Sequence, residues 1–287
     1  MTTISHSEVE SFLLCERKHY YGYGLGIQRI KESVALNRGI LGHEMLDVFY
    51  TLISKGESYA DTYEAAKSVL LAAMDGENSD LIIELTRILD MHQELKPFAG
   101  FEILAVEQEY TLEITPGVTY PLVLDLLVRD VGGRIAVVDH KFTYDFYTTN
   151  AMRMLPQIPK YIAALRALGL RADYGIYHFL RYRKLKEPSP AQIIQTIPQY
   201  PSEHRVEQTF LEQMEGTNRV LERKALPLEE QSYMAIRTAN KMVCENCSFN
   251  SICSAELDGE NAQLILQAEY KVRERRVFDE IEVKNVD

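Results

Sequence analysis

Apolar side chains recur at helical spacing near the start of the chain. Ser5 and Glu8 have the S-x-x-E spacing of a capping box, which marks the first turn of many helices. The residues that follow predict a helix carrying Val9, Phe12 and Leu13 on one face. This helix runs toward Cys15, the first of the four cysteines.

The helical pattern continues to about residue 96. Apolar residues such as Met45 and Phe49 recur at helical spacing over residues 35–56, and Gly56 ends that run. Two more helical stretches cover residues 59–74 and 79–96. The first third of the chain is therefore predicted to be helical.

The pattern then changes to that of β-strands. Residues 101–114, 119–130 and 134–142 are rich in β-forming residues and are separated by the turn signals TPG and DVGG. These three runs predict an antiparallel meander. A helix over about 151–168 and a fourth strand over 172–184 follow.

Prolines mark the next change of pattern. Four of them between Pro188 and Pro201 predict a loop-rich crossing, after which residues 206–225 have a helical pattern. Three clustered cysteines follow, and a charged helix or tail ends the chain.

This order of elements predicts an α/β fold, a small mixed sheet flanked by helices, in a single domain spanning 1–287. Its parts are a helical N-terminal part at about 1–98, a sheet core at 99–185 and a helical C-terminal part with the cysteine cluster at 186–287.

Composition and charge narrow the class of protein. With 46% hydrophobic and 25% charged residues, the chain has the composition of an ordinary soluble globular protein. Its net charge of −11 argues against a surface coated in basic residues for non-specific nucleic-acid binding, although cations are bunched locally in RKHYYGYG. No apolar run approaches the roughly 20 residues of a membrane helix, and the N-terminus lacks a signal core. We therefore expect a cytoplasmic protein that does not bind membranes.

Two aspartates and a lysine lie on the second and third predicted strands. Asp139 and Lys141 are two residues apart, so their side chains leave the same face, whereas His140 points to the other. Asp125 lies on the neighbouring strand and can come close to Asp139. Carboxylates among apolar residues repel each other unless a cation joins them, and oxygen ligands suit Mg²⁺ or Mn²⁺. An ion pair with Lys141 is the simpler interpretation of the same residues.

Other polar residues surround this group in the sequence. His43 lies on a predicted helix five residues after Arg38, and Glu107 lies on the first predicted strand. Gln157 and Tyr161 are four residues apart, on one face of a predicted helix. Each has a structural interpretation when taken alone. It is their order along the chain that indicates a function.

Together these residues resemble the PD-(D/E)XK nuclease superfamily, specifically its RecB-like branch. That branch includes the AddB nuclease domain and the CRISPR-associated "Cas-four" exonucleases. The family has an R-G-x-x-x-H helix, a glutamate, a strand aspartate, a D/E-x-K strand and a Q-x-x-x-Y helix, in this order. The matching segments here are RGILGH, Glu107, Asp125, DHK and QIPKY. The chain departs from the family at Leu122, where a glycine is frequent.

The resemblance implies a restriction-endonuclease-like core and a metal-dependent DNA nuclease, an exonuclease acting on single-stranded ends. It also implies partner proteins of recombination or CRISPR-type complexes. The implied ligands of Mg²⁺ or Mn²⁺ are His43, Asp125, Asp139 and the carbonyl of His140. The implied catalytic residues are Lys141, Asp125, Asp139, Glu107, Gln157 and Tyr161.

The cysteines form a second constellation. Cys244, Cys247 and Cys253 have the spacing C-x2-C-x5-C, and Cys15 lies at the other end of the chain. Zinc sites more often use two C-x2-C pairs, and four thiolates also suit an iron–sulfur cube. Zinc, an iron–sulfur cluster and redox thiols all remain open on spacing alone. The resemblance implies a [4Fe-4S] cluster that joins the two helical ends of the chain.

Two functions of other classes fit parts of the sequence. A non-catalytic DNA-binding or scaffold subunit of a recombination or spacer-acquisition complex could keep the fold, but such proteins usually lose the acidic pair or the lysine. A zinc-stabilised interaction protein would explain the cysteines but not the acidic residues.

Overall fold

The computed structural model describes residues 2–31, 33–74 and 78–273. Its helices are α1 (His6–Leu14), α2 (Glu16–His19), α3 (Val34–Ser54), α4 (Tyr59–Ala72), α5 (Ser79–Leu95), α6 (Thr149–Met154), α7 (Gln157–Ala167), α8 (Pro190–Ile193), α9 (Glu203–Lys224), α10 (Leu228–Met234), α11 (Lys241–Glu245), α12 (Asn250–Leu257) and α13 (Ala262–Glu269), with a π-helical turn at Tyr20–Gly24. Its strands are β1 (Thr2–Thr3), β2 (Ile27–Arg29), β3 (Glu102–Thr115), β4 (Val118–Arg129), β5 (Ile135–Thr143), β6 (Tyr174–Arg181), β7 (Ile194–Gln199) and β8 (Tyr270–Val272).

The described residues fall into two compact units. The sheet unit is formed by Ser33–Tyr110 and Val123–Phe210. The cysteine unit, which holds all four cysteines, is formed by the residues before Ser33, by Thr111–Leu122 and by those from Leu211 onward. The single domain with parts near 1–98, 99–185 and 186–287 stays a prediction.

The sheet unit is built on a mixed sheet. Strands β4 and β5 are antiparallel, with Leu126 opposite Val138, and β3 pairs with β4. Strand β6 joins β5 in parallel, and β7 pairs antiparallel with β6 at the edge of the sheet. The predicted mixed α/β architecture, a central sheet with helices around it, is therefore confirmed and agrees with a restriction-endonuclease-like core.

The two faces of this sheet meet different helices. Apolar residues of α3 and α5, including Met45 and Leu85, form the main core with Val138 of β5. On the other face, α7 lies close to β6 at Gly175, where a Cβ atom would lie 2.2 Å from Cγ2 of Ile158. Glycine is required there because no side chain fits between helix and strand. This close packing fixes the start of α7 against the sheet.

Two predictions for the second half of the sheet unit are wrong in detail. The helix expected over 151–168 is divided into α6 and α7 at Leu155, whose extended backbone precedes Pro156. A residue before proline is disfavoured in the α conformation, so the helix ends there. The loop-rich crossing expected between Pro188 and Pro201 contains α8 and β7. Strand β7 accommodates Pro198 because it is an edge strand.

The cysteine unit has small sheets of its own. Thr2 of β1 pairs with Val118 in parallel, and Ile27 of β2 pairs with Val272 of β8 in antiparallel. A hydrophobic cluster lies around Tyr21 and Phe249. Strands this short give no periodic signal, and the sequence did not predict them.

Most of the charged helix or tail predicted at the end of the chain lies outside the described residues. In the part of the chain that is described, no helix combines the length and apolar character that crossing a bilayer requires.

Candidate active site

Asp125 lies on β4, directly before Leu126, the first β4 residue that pairs with β5. Its carboxylate Oδ2 accepts a hydrogen bond from the backbone N–H of His140 at 2.7 Å. The side chain is only 11% exposed. Burial, with the nearby charge of Asp139, raises the pKa of Asp125 well above its usual range, although the charge of His43 opposes this shift. The carboxylate is thus held in a place that favours a neutralising cation.

His43 reaches this carboxylate from α3. Its Nδ1 lies 3.6 Å from Oδ1 of Asp125 and 3.5 Å from Oε1 of Glu107. Helix α3 can approach β5 because residue 42 is glycine, where a Cβ atom would lie 2.3 Å from Cζ of Phe142. Burial disfavours the protonated ring, but the hydrogen bond to Glu107 and the charge of Asp125 outweigh it and raise the pKa of His43.

Glu107 completes this group from β3 with an unusual backbone conformation. Its φ is +44°, in the left-handed region that residues other than glycine rarely adopt within a strand. Ligand atoms of His43, Glu107 and Asp125 all lie within 4.8 Å of one another. Such strain is most often found at functional sites. The sequence carries no signal for this conformation.

Lys141 belongs to a second chain of polar contacts, on the opposite face of β5 from His140. Its Nζ lies 2.9 Å from Oδ2 of Asp139 and donates a hydrogen bond to Oε1 of Gln157. The amide Nε2 of Gln157 donates in turn to the hydroxyl of Tyr161 at 2.9 Å. The D-x-K strand and the Q-x-x-x-Y helix therefore meet at the lysine.

Electrostatics links the two groups. Within the described residues, Asp139 is outside the group whose ligand atoms lie within 4.8 Å, since its carboxylate pairs with Lys141. Its charge nevertheless contributes to the raised pKa values of Asp125 and His43. Of the expected metal ligands, His43 and Asp125 therefore lie in one group, and Asp139 is paired with the lysine outside that group.

Arg38, five residues before His43, points elsewhere. Its Nε donates to Oε1 of Glu84, and its guanidinium lies 3.7 Å from the ring centre of Tyr182. The arginine of the R-G-x-x-x-H segment thus contacts α5 and the end of β6.

Behind the site lies a group of histidines that the sequence analysis missed. The ring of His140 points to the core face, as expected, and its Nδ1 lies 2.9 Å from Nδ1 of His178. His92 lies next to His178 and is hydrogen-bonded through Nε2 to the hydroxyl of Tyr50 at 2.7 Å. Burial lowers the pKa of each ring, and that of His92 to about 3, so the rings are neutral at pH 7. The sequence analysis missed this group because it did not predict the parallel register of β5 and β6, which places His178 beside His140.

The cysteines lie in the other unit, and none forms a disulfide. Cys15 and Cys253 contact neighbouring residues: the thiol of Cys15 lies 3.9 Å from the carbonyl of Ile236, and Cys253 Sγ accepts a hydrogen bond from Nε of Arg237 at 3.2 Å. Cys247 Sγ accepts from the N–H of Phe249 at 3.4 Å. These contacts place N–H donors at the sulfur atoms of Cys247 and Cys253, and an acceptor at that of Cys15.

The thiols differ in acidity. Burial raises the pKa of Cys247, and the neighbouring charges of Cys15 and Cys253 add to this shift. For Cys15, burial is outweighed by hydrogen bonds from Thr238 and from backbone N–H groups, which lower the pKa. Among the described residues, no three cysteine sulfurs lie within 4.8 Å of one another. Cys15 and Cys253 are therefore close enough to influence Cys247, but not in mutual contact as a group.

Comparisons with known proteins bear on this arrangement. A family model described as the PD-(D/E)XK nuclease superfamily matches residues 3–254. The structure of a candidate exonuclease from Eubacterium rectale is similar over 85% of this chain and 88% of that chain, with 11% identity and a TM-score of 0.52. The structure of SSO0001 is similar over 89% of this chain and 87% of that chain, with 15% identity and a TM-score of 0.39. A search of the curated proteins finds no match.

The two structural matches differ in weight. At 11% identity, the similarity to the Eubacterium rectale protein concerns the fold alone, and the match to SSO0001 is too distant to support an argument. The family model, by contrast, covers most of the sequence, including every segment of the ordered motif set. The chain belongs to the PD-(D/E)XK nuclease superfamily.

Proposed function

We propose that this protein is a Mg²⁺- or Mn²⁺-dependent deoxyribonuclease that acts as an exonuclease on single-stranded DNA ends. The observation that carries the proposal is the meeting of two groups at β5. One is the His43, Glu107 and Asp125 group, and the other is the Lys141–Asp139 ion pair. Members of this superfamily use divalent metals, and a cation site next to a positioned lysine suits hydrolysis of a phosphodiester by a water molecule.

The residues present fit a divalent cation. Two carboxylates and an imidazole offer oxygen and nitrogen atoms within 4.8 Å, a donor set that suits Mn²⁺ and, with waters, Mg²⁺. The raised pKa of Asp125 reflects a buried carboxylate that a cation would stabilise. We propose that His43, Asp125, Asp139 and the carbonyl of His140 hold the metal, and that Glu107, which belongs to the group within 4.8 Å, is a further oxygen donor to it. A cation held there would polarise the phosphodiester and make a bound water more acidic.

The chain's own groups would position the reacting atoms. Lys141 carries its ammonium on the face of β5 where Asp139 and Gln157 hold it, so it is oriented before substrate arrives. From this position it would orient the attacking water and stabilise negative charge on the phosphate. Tyr161 acts one contact further away, since its hydroxyl accepts from the amide of Gln157 and fixes the orientation of that side chain.

We also propose that Cys15, Cys244, Cys247 and Cys253 hold a [4Fe-4S] cluster. Four thiols without disulfides, two of which accept hydrogen bonds from N–H groups, suit such a cluster, because hydrogen bonds to sulfur tune it. A tetrahedral zinc ion would bring the sulfurs to about 3.8 Å from one another, given Zn–S bonds of about 2.3 Å. In a [4Fe-4S] cube each thiolate binds a different iron, so the four sulfur atoms need not approach one another so closely. The cluster would join the first helices to the C-terminal segment.

Degradation of end-labelled DNA tests the proposed activity. We expect the anaerobically purified protein to shorten single-stranded oligonucleotides from an end in Mn²⁺ or Mg²⁺, and not in EDTA. Asp125→Asn and Lys141→Ala should abolish the activity, whereas Lys186→Ala, an exposed lysine of the same unit, should retain it. Binding of DNA without hydrolysis under every metal condition would instead favour the non-catalytic scaffold. A circular labelled substrate distinguishes exonuclease from endonuclease action.

A further inference from the structure

Residues 144–147, which we call the tyrosine loop, follow directly on β5, the strand that carries Lys141. The sequence of this loop is Tyr-Asp-Phe-Tyr. The side chain of Tyr144 is 57% exposed and that of Tyr147 is 40% exposed. The loop thus presents two open aromatic rings at the end of β5.

Tyr147 lies on the face of the sheet that carries Lys141. Phe179 of β6 is directly opposite Lys141 in the parallel ladder, and paired residues of neighbouring strands leave the same face. The ring of Tyr147 packs on the ring of Phe179, with ring centres 5.2 Å apart. Tyr147 therefore contacts the direct strand neighbour of the proposed catalytic lysine.

Tyr144 lies toward the opposite face, which α3 covers. Its ring packs edge-on against the ring of Tyr182, with ring centres 5.7 Å apart. Tyr182 in turn packs against the main core and contacts the guanidinium of Arg38, on α3. His43 lies five residues further along α3, a rise of about 7.5 Å. The two tyrosines therefore flank the end of β5, one on the side of Lys141 and the other on the side of α3.

Asp145, between the two tyrosines, holds two arginines. Its carboxylate accepts hydrogen bonds from Nη2 of Arg181 and from Nη1 of Arg183, the latter at 3.0 Å. The guanidinium of Arg183 also lies 5.5 Å from the ring centre of Tyr144, and its side chain is exposed. One carboxylate cannot neutralise two guanidiniums, so a positive charge remains here in a chain whose net charge is −11.

This combination of side chains suits a single nucleic-acid strand. Exposed aromatic rings stack on bases, whatever the base, and guanidinium groups are the preferred partners of phosphate. The bases of a duplex are already stacked on one another, so a single strand offers the free base faces that the rings require. An exposed ion pair such as Asp145–Arg183 contributes little to stability, so the fold does not require it.

We propose that the tyrosine loop binds the substrate strand next to the scissile phosphate. The inference rests on the proposed function, because it takes Lys141 as the position of that phosphate. One base stacks on Tyr147 and a second base stacks on Tyr144, while Arg183 contacts an adjoining phosphate. The loop therefore gives single strands a place to bind, beside the lysine, without reading their sequence.

Equilibrium binding in EDTA measures the contribution of the loop separately from hydrolysis. Fluorescein-labelled oligothymidylate is titrated with wild-type protein and variants at several salt concentrations, and anisotropy gives Kd. Tyr144→Ala and Tyr147→Ala should each weaken binding by about fivefold or more, the effect of losing one stacked base. Tyr144→Phe and Tyr147→Phe keep the rings and should bind as the wild type does.

Tyr200→Ala is the matched control for the two rings. Tyr200 is 60% exposed and packs on another tyrosine, Tyr174, with ring centres 5.1 Å apart. Tyr174 is the first residue of β6, so this pair lies at the end of the strand away from the tyrosine loop. The variant should bind the oligonucleotide as tightly as the wild type.

Arg183→Ala should reduce the slope of log K against log salt by about 0.7, the contribution of one phosphate contact on a single strand. Arg171→Ala is its control, since Arg171 is also an exposed arginine paired with an aspartate, Asp173, at 3.0 Å. This control should leave the slope unchanged. Circular dichroism melting verifies that each variant is folded.

The outcomes separate the two proposals. DNA hydrolysis by a protein whose Tyr144→Ala, Tyr147→Ala and Arg183→Ala variants all bind as the wild type does would overturn the role of the loop and leave the proposed function intact. An equal loss of affinity in Tyr200→Ala, or no measurable binding by the wild type, would overturn it as well. Weakened binding by the loop variants alone, in a protein that hydrolyses no DNA with any metal, would support the binding loop and contradict the nuclease proposal.

Discussion

Lys141 and Asp139 form an ion pair of 2.9 Å in which the two side chains differ in burial: the aspartate is 1% exposed and the lysine 26%. The lysine therefore neutralises a carboxylate that has little access to water. A buried charge that loses its partner is strongly unfavourable. The lysine proposed to act on the phosphate is consequently also needed for stability when no cation is present.

Lys141→Ala should destabilise the protein in EDTA by about 1–3 kcal/mol, because it leaves Asp139 without its cation. Saturating Mn²⁺ should offset part of this loss, since the metal ion would then lie near the Asp139 carboxylate in place of the missing lysine. Urea unfolding with and without Mn²⁺ measures the difference, and Lys186→Ala serves as the control. An equal loss of stability in both conditions would show that no cation binds near Asp139.

Gly42→Ala should destabilise the protein by about 1–3 kcal/mol, the usual effect of overpacking, because its Cβ would lie 2.3 Å from Cζ of Phe142. Gly39→Ala is the matched control on the same helix, since a Cβ there meets nothing within 4 Å. It should stabilise the helix by about 0.5–1 kcal/mol. Thermal melting of the two variants should thus shift in opposite directions, and a shift of Gly42→Ala to higher temperature would contradict the packing described.

Mn²⁺ should raise the melting temperature of the wild type, and more at pH 8 than at pH 6. The pKa values of His43 and Asp125 are both raised, so these side chains keep their protons to a higher pH than usual. A cation must displace these protons in order to bind, and fewer of them are present at pH 8. At 100 times Kd, the stabilisation is about 2.7 kcal/mol. Asp125→Asn should lose the effect, whereas the exposed Asp80→Asn should keep it. A shift that is independent of pH would place the metal elsewhere.

Glu8 gives the cysteine unit a pH dependence of its own. Burial opposes ionisation of Glu8, but hydrogen bonds from His19 and Lys224 outweigh it and lower its pKa in the folded state. A carboxyl with a lowered pKa stabilises the fold above its unfolded pKa of about 4.3, and this contribution is lost as the pH falls through the folded pKa.

Glu8→Gln should therefore be less stable than the wild type at pH 7, by about 1–3 kcal/mol. The difference should narrow as the pH falls below about 4. Urea unfolding across this range measures it, with Glu10→Gln, a more exposed position on the same helix, as the control. A constant difference at all pH values would mean that Glu8 acts through packing and not through its charge.

Cys244→Ala should abolish the brown colour that we expect of anaerobically purified protein, together with its bound iron and sulfide. Ser248→Ala, which changes a neighbouring residue but no thiol, should retain both. Visible absorption and metal analysis are the measurements. Colourless wild-type protein with one equivalent of zinc would falsify the iron–sulfur assignment.

Local patterns in the sequence were sufficient for part of this picture. The alternation of a strand places Asp139 and Lys141 on one face, and the i, i+4 spacing places Gln157 and Tyr161 on one side of α7, as the structure has them. The spacing did not predict that the strand residues and the helix residues come together in one site. That expectation came from the resemblance to a known family.

The rest depended on tertiary packing. The cluster of His140, His178 and His92 requires the parallel pairing of β5 with β6 and the position of α5, which no local pattern encodes. The break before Pro156 could have been predicted, since the residue before a proline rarely continues a helix. Strand β7 was hidden by its prolines, because an edge strand tolerates a residue that a central strand excludes.

The left-handed backbone of Glu107 has a consequence for laboratory evolution. A positive φ at a residue other than glycine costs on the order of 1–3 kcal/mol, and glycine or asparagine would relieve it. Selection for heat resistance alone would therefore enrich glycine or asparagine at position 107 and discard the carboxylate. Selection for DNA degradation would keep the glutamate and its strain, so the two regimes should drive this single codon in opposite directions.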